Sequence, residues 1–208
     1  MTELRLVTPD PAYRASYLEA LDELAREGNA HYFDLVLPPE GRFAGVRFDA
    51  PRLADPDVFA EFCAYTVALA DPATPRPAGW TTGTYLWMVA DDAVVGRISL
   101  RHELTPWLLE VGGHIGYGVR PSARRRGYAT AGLAQMCAVA SARGIDPALL
   151  TCDEDNLGSR RVIEANGGVL EDVRNGKLRF WLPTSRVPAN RLGNGHEKSH
   201  AAGPDASP

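Results

Sequence analysis

A strand, a proline stop, a run of arginines and a glycine that opens a long helix follow one another in His114-Ile-Gly-Tyr-Gly-Val119-Arg-Pro-Ser-Ala-Arg124-Arg-Arg-Gly127-Tyr-Ala129-Thr130. This stretch constrains the chain more than any other. The N–H groups of a helix's first turn lack intrahelical partners and lie at the positive end of the macrodipole, so such a turn is an anion site. Gly127 and Ala129 let phosphate oxygens come close to the backbone, and Arg124, Arg125 and Arg126 add charge suited to a pyrophosphate or a ribose phosphate. Two other phosphate cradles are excluded. Gly116-Tyr-Gly118-Val-Arg-Pro121 has the first two glycines of a dinucleotide fingerprint but proline in place of the third, and no GxxxxGK[ST] occurs.

The flanking sequence places this turn inside an α/β domain. Leu4 to Val7 reads as a short edge strand, and residues 12 to 26 as a helix with Tyr17, Leu18, Leu21 and Leu24 on one side. Residues 28 to 54 are loop-like, and Asp57 to Leu69 is helical, with Val58, Phe59, Phe62, Tyr65, Thr66 and Leu69 spaced by three and four. The texture then changes to an antiparallel meander: Thr84 to Ala90, Val94 to Arg101 and His114 to Val119. A long helix from Tyr128 to Arg143 buries Leu133, Met136, Cys137 and Ala140 and stops at Gly144. Ala148 to Cys152 is a buried strand, and Asp155 or Asn156 caps a short helix to about Ala165. Val169 to Val173 and Lys177 to Leu182 flank the two-residue hairpin signal Asn175-Gly176.

With 208 residues, 45% of them apolar, the chain forms one domain over residues 1–183, and the Pro-, Gly- and Ala-rich stretch 184–208 reads as a disordered tail. The formal charge of −4 gives no global case for nucleic acid or an anionic membrane surface. Cys63, Cys137 and Cys152 form no metal-ligand pattern and read as buried thiols of a reducing compartment. Neither a signal peptide nor an 18-residue apolar span is present, so the cytoplasm is the expected location. A monomer and a homodimer are both compatible with this sequence.

Arg124-x-x-Gly127-x-Ala129, set between a strand and a long helix, resembles the acetyl-CoA signature [Q/R]xxGx[G/A] of the GNAT N-acetyltransferases. The segment Thr151-Cys-Asp-Glu-Asp-Asn156-Leu-Gly-Ser159-Arg-Arg-Val-Ile163-Glu-Ala-Asn-Gly167-Gly168 resembles that family's second signature. The paired match covers about Thr84 to Leu182 and is closest to a group of predicted acetyltransferases of unassigned substrate. The resemblance implies a mixed sheet that splays between the family's fourth and fifth strands. Pantetheine would run beside Tyr117, Gly118 and Val119, pyrophosphate would lie on the amides from Arg125 to Thr130, Tyr128 included, and Asn156 with Ser159 would meet the cofactor arm. It implies acetyl-CoA as co-substrate, no metal, and an amine of a small molecule or peptide as acceptor.

That chemistry needs the amine as free base, because a lysine-like ammonium has a pKa of about 10.4. A strand N–H near Val119 could polarise the thioester carbonyl. His114 is the first expected base because its ordinary pKa suits proton transfer near neutrality. Glu110, placed at the start of the same strand, is second, with His102 and Glu103 behind. Many relatives carry tyrosine seven residues after the second-motif Asn as the acid that protonates the leaving thiolate. Here that position is Ile163, which leaves Ser159, Tyr117, Tyr128 or water. His114 can also be a hydrogen-bonded strand histidine, Asn156 only a helix cap, and the whole chain a catalytically silent CoA-binding or CoA-sensing module.

Overall fold

The computed structural model describes residues 3–28, 35–38 and 44–185. Residues 186–208, which hold most of the expected tail, lie outside the described residues, as does most of the loop from 29 to 43. Thr184 is buried and still docked, its N–H on Asp146 Oδ1 at 2.8 Å and its hydroxyl on the Ile145 carbonyl at 2.7 Å.

Strand β1 (Arg5–Val7) leads through a 3-10 turn, capped by Asp10, into helix α1 (Arg14–Arg26). The short pair β2 (Leu35–Val36) and β3 (Arg47–Phe48) precedes α2 (Pro56–Ala68). Asp55 caps α2 by accepting the N–H groups of Asp57 and Val58, with Pro56 at the first helical position where no N–H is needed. The meander is β4 (Gly83–Ala90), β5 (Ala93–Arg101) and β6 (Ile115–Val119), followed by α3 (Tyr128–Ala142) and β7 (Ala148–Asp153). Helix α4 (Leu157–Ala165), β8 (Val169–Arg174) and β9 (Lys177–Leu182) complete the described domain. The β8–β9 turn places both Asn175 and Gly176 at positive φ, 50° and 72°, as an Asn-Gly hairpin requires.

The strands form two main antiparallel sheets, in the orders β1-β4-β5-β6 and β7-β9-β8. Among the described residues one backbone hydrogen bond joins them, from the His114 N–H to the Leu149 carbonyl at 2.7 Å, and the outer edge of β6 pairs with no strand. This is the expected splay. One face of the first sheet packs Met88, Ile98, Leu100 and Ile115 against Leu133, Met136 and Ala140 of α3, and the three-stranded sheet adds Leu150, Phe180 and Leu182 to that core. The other face packs Trp87 and Val89 against Tyr17 and Leu21 of α1 and Phe59 and Cys63 of α2. Full burial of each large apolar side chain is worth about 2 kcal/mol, so two helical layers clamp the sheet and hold its β6 edge in place.

Glu110 differs from its expected setting. It lies not on a strand but in a single π turn over Leu108–Gly112, and the strand proper begins at Ile115. The irregular segment is forced by Gly113, whose φ is +64° and whose added Cβ would stand 2.5 Å from the Leu149 carbonyl oxygen. Only a residue without Cβ lets the chain pass so close to β7.

Candidate active site

Three glutamates at four-residue intervals along α1 and its C-cap, Glu19, Glu23 and Glu27, hold the arginine-rich turn. Arg120 donates to Glu23 Oε1 from Nε at 3.0 Å and Nη2 at 2.6 Å, with Glu19 3.5 Å away. Glu23 also accepts the Ser122 N–H and hydroxyl, at 3.0 and 2.8 Å, where the chain turns out of β6. The Arg120 guanidinium, aided by Ser122, pulls the Glu23 carboxyl down to about 2. The stability this supplies is complete above the ordinary carboxyl value of 4.5 and is lost as pH falls toward 2. Glu23→Gln should therefore cost about 1–2 kcal/mol at pH 7. Urea melts should show a smaller cost at pH 3, where part of that stability is already lost.

Arg124, Arg125 and Arg126 separate in space. Arg124 makes a two-pronged pair with Glu27, at 2.9 and 2.7 Å, and its Nε donates to the Val119 carbonyl at 3.2 Å. Arg125 has a left-handed backbone, φ +62°, and borders the cleft described next, whereas Arg126 is exposed and does not border it. Gly127 follows at φ +80° as the cap residue of α3. The first turn of α3 has no side-chain cap, and its residue Ala129, like Arg125 before it, borders that cleft.

A cleft of about 750 Å³ opens along β6, bordered by residues of α1, β5, the start of α3 and α4. The N–H of Arg120 donates to Val95 at 2.9 Å, so Gly118 and Gly116, which share its phase, face β5. The backbone groups of Tyr117 and Val119 face the opposite edge, which pairs with no strand among the described residues. Gly118, Tyr117 and Val119 border the cleft on one side, and Asn156, Gly158, Ser159 and Val162 on the other. Asn156 caps α4 by accepting the Ser159 N–H at 3.0 Å, and the Tyr117 hydroxyl lies 2.8 Å from Ser159 Oγ, bridging the splay. Burial, only partly offset by that contact, pushes the Tyr117 hydroxyl up to about 12, so it stays a proton donor throughout the neutral range. Tyr128 and Thr130 are half-buried on α3 and do not border the cleft.

His114 fits the second of its two readings, a histidine held by hydrogen bonds. The Leu149 N–H donates to its Nδ1 at 2.9 Å while its own backbone N–H donates to the Leu149 carbonyl, so this residue pins β6 to β7 where the splay begins. With Nδ1 accepting, the neutral ring carries its proton on Nε2 and has no free lone pair. Burial, helped by the charge of Arg101, holds its pKa below the ordinary 6.5. The folded state thus prefers the neutral ring, and the stability this gives is present above pH 6.5 and lost as pH falls below it. His114→Gln should remove this part of the pH dependence, read as a flatter plot of denaturation midpoint between pH 7 and pH 5. Glu110 is paired with Arg174 at 3.1 Å and borders neither large cavity. His102 binds the Thr84 hydroxyl through Nε2 at 2.9 Å. Ile163 is fully buried in the α3 core, with no access to the cleft.

A second cavity of about 600 Å³ lies on the α1–α2 side of the sheet, over Tyr85, Ser99, Arg101 and Gly116, with Trp80 and Trp107 on its walls. The two cavities share Tyr17, Arg97 and Tyr117. The edge of β6 therefore separates a long cleft that ends at a helix N-terminus from a pocket of small-molecule size.

Comparison with known proteins accords with this arrangement. Searching curated proteins by sequence found no significant match. Among solved structures, the chain resembles the microcin C7 self-immunity acetyltransferase MccE in complex with acetyl-CoA and AMP, at 12% identity and a TM-score of 0.57, over 87% of this chain and 92% of that one. It also resembles the ribosomal L7/L12 alpha-N-protein acetyltransferase RimL in complex with coenzyme A, at 14% identity and a TM-score of 0.56, over 89% and 97%. RimJ from Mycobacterium smegmatis, in complex with CoA-disulfide, aligns at 20% identity and a TM-score of 0.55, over 89% and 83%. At such identities the likeness speaks for the fold. Residues 44–169 match the family description "Acetyltransferase (GNAT) domain", and the chain belongs to the GNAT acetyltransferase family.

Proposed function

We propose that this protein transfers an acetyl group from acetyl-CoA to the primary amine of a small molecule or peptide, by direct attack with both substrates bound. The observation that carries this reading is the meeting of the unpaired β6 edge with the N-terminus of α3 along one cleft, which a second cavity joins at Tyr117. The residues present fit the cofactor. A strand edge offers amide partners to pantetheine, and the α3 first turn with Arg125 offers donors to a pyrophosphate. Asn156 and Ser159 line the far wall.

Acetyl-CoA would supply the acyl group as an activated thioester, and the rest falls to the chain's own groups. The Val119 N–H, on the free edge, is the donor we assign to the charge that develops on the carbonyl oxygen. We assign Tyr117, held by Ser159, as the acid for the departing thiolate, in place of the side chain missing at Ile163. Burial pushes Cys63 to about 12 and Cys137 to about 11 and raises Cys152, which disfavours an acyl-cysteine intermediate.

Among the described residues that line the second cavity there is no carboxylate or imidazole. We therefore assign loss of the ammonium proton to water rather than to His114 or Glu110. On this assignment kcat/KM rises with pH in step with the free-base fraction of the acceptor. A pH series with two amines whose own pKa values differ by about 2 should give acid limbs displaced by as much. A shared limb near 6.5 would restore an enzyme base.

His114 and Ile163 also favour a second reading, a GNAT module that binds or senses CoA without turnover. Thermal stabilisation by CoA and acetyl-CoA but not NADH, together with CoA release in the presence of amines, would establish the transferase. Stabilisation without release across a broad amine panel would favour the sensor, and no stabilisation would remove both. We further propose a cytoplasmic location, in keeping with the free state of all three cysteines. Among the described residues no helix is long and apolar enough to cross a membrane.

A further inference from the structure

The second cavity carries a chemical signature of its own. Period-two alternation places Arg97, Ser99 and Arg101 on one face of β5, and all three border the cavity. Arg101 Nη1 donates to the carbonyl oxygens of Gly112 and Gly113, both at 3.1 Å, which fixes the guanidinium over β6. No ion pair involves Arg101 among the described residues. The space in front of it is kept open by Gly116: a Cβ there would stand 3.7 Å from Arg101 Nη1 and from Ser99 Oγ, and 3.8 Å from Nη2. Tyr85 pairs with Ser99 in register and lies within the field of Arg101, Arg97 and Arg76. Opposite this polar floor stand two solvent-facing indoles, Trp107 at 64% and Trp80 at 42% exposure.

A guanidinium withdrawn from water without a carboxylate favours a ligand that brings a negative charge, and its planar fork matches the oxygens of a carboxylate or phosphate. Exposed indoles offer apolar area to the rest of such a ligand. We infer that the acceptor is a small amphipathic molecule, with an apolar body against Trp80 and Trp107 and a carboxylate or phosphate held by Arg101, Arg97 and the Ser99 hydroxyl. Only the word acceptor rests on the proposed acetyl transfer; the anion site itself does not.

Calorimetric titration of the full chain, free and saturated with CoA, tests this with 3-phenylpropionate, phenyl phosphate and the neutral 3-phenylpropionamide. At least one anion should bind about tenfold or more tightly than the amide, and the stronger of the two identifies the oxyanion. That preference should vanish in Arg101→Gln. It should vanish equally in Gly116→Val, which fills the space before the guanidinium while leaving every charge in place and serves if Arg101→Gln does not fold. Equal binding of amide and anions by the native protein, or a preference that survives both substitutions, overturns the inference. Loss of all CoA binding with the anion preference intact would sink acetyl transfer and leave the anion site standing. Turnover of neutral amines with no anion preference would do the reverse.

Discussion

Gly127→Asp should weaken CoA binding about a hundredfold, equivalent to about 2.7 kcal/mol, while Gly127→Asn loses far less. Both side chains tolerate the left-handed backbone at φ +80° better than other residues, so the comparison holds conformational strain nearly constant. They differ by one negative charge at the mouth of an uncapped helix, where the free N–H groups and the macrodipole attract anions. An aspartate would accept the first-turn N–H groups as a cap and repel a phosphate from the same place. Asp should therefore leave the melting temperature of the ligand-free protein equal to or above that of Asn while abolishing most stabilisation by CoA. Equal CoA affinity in the two variants would show that the pyrophosphate lies elsewhere.

Tyr117→Phe should lower kcat with a small acceptor about a hundredfold and leave the dissociation constant of CoA within about threefold, since general acid catalysis contributes about that much. Only the hydroxyl is removed, and the ring remains packed between β6 and the α3 core. Ser159→Ala should cost less, because Tyr117 would lose an orienting partner at 2.8 Å but keep its proton. The distinguishing measurement is the leaving group. An acyl donor whose thiol is much more acidic than CoA needs no proton on departure, and it should restore most of the rate of Tyr117→Phe. A defect equally deep with such a donor would make Tyr117 a positioning residue.

Much of this fold was legible along the chain because its signals are local. The Asn175-Gly176 turn and the stop at Gly144 each follow from backbone sterics within a few residues. Periodicity placed Leu133, Met136 and Ala140 of α3 in the core, and all three are buried; Cys137, on the margin of that stripe, is only half-buried. The glycine-opened start of α3 was legible for the same reason, since a glycine before a helix and arginines before the glycine are neighbours in sequence.

The partners of those arginines were not legible. Glu19, Glu23 and Glu27 have a spacing that marks a solvated helix face, and nothing near them names Arg120 or Arg124, which lie 97 positions away from Glu23 and Glu27 respectively. Glu110 looked like a strand residue because a π turn has no periodicity to read, and Gly113 demands that turn only because Leu149 passes 2.5 Å from where its Cβ would be. His114 looked like a base because isolated imidazole suits the task; the Leu149 N–H on Nδ1 decides otherwise how its lone pair is used.

By itself, then, the sequence determined the principal helices and strands, their order and the glycine-opened start of α3, while the short β2–β3 pair and the π turn went unread, because only the former rest on dihedral preference and periodicity over short range. Only the tertiary structure decided which charges are spent on holding the turn, which histidine pins the splay and which residues line both cavities. Those depend on contacts between residues far apart in the chain, and no local pattern encodes them.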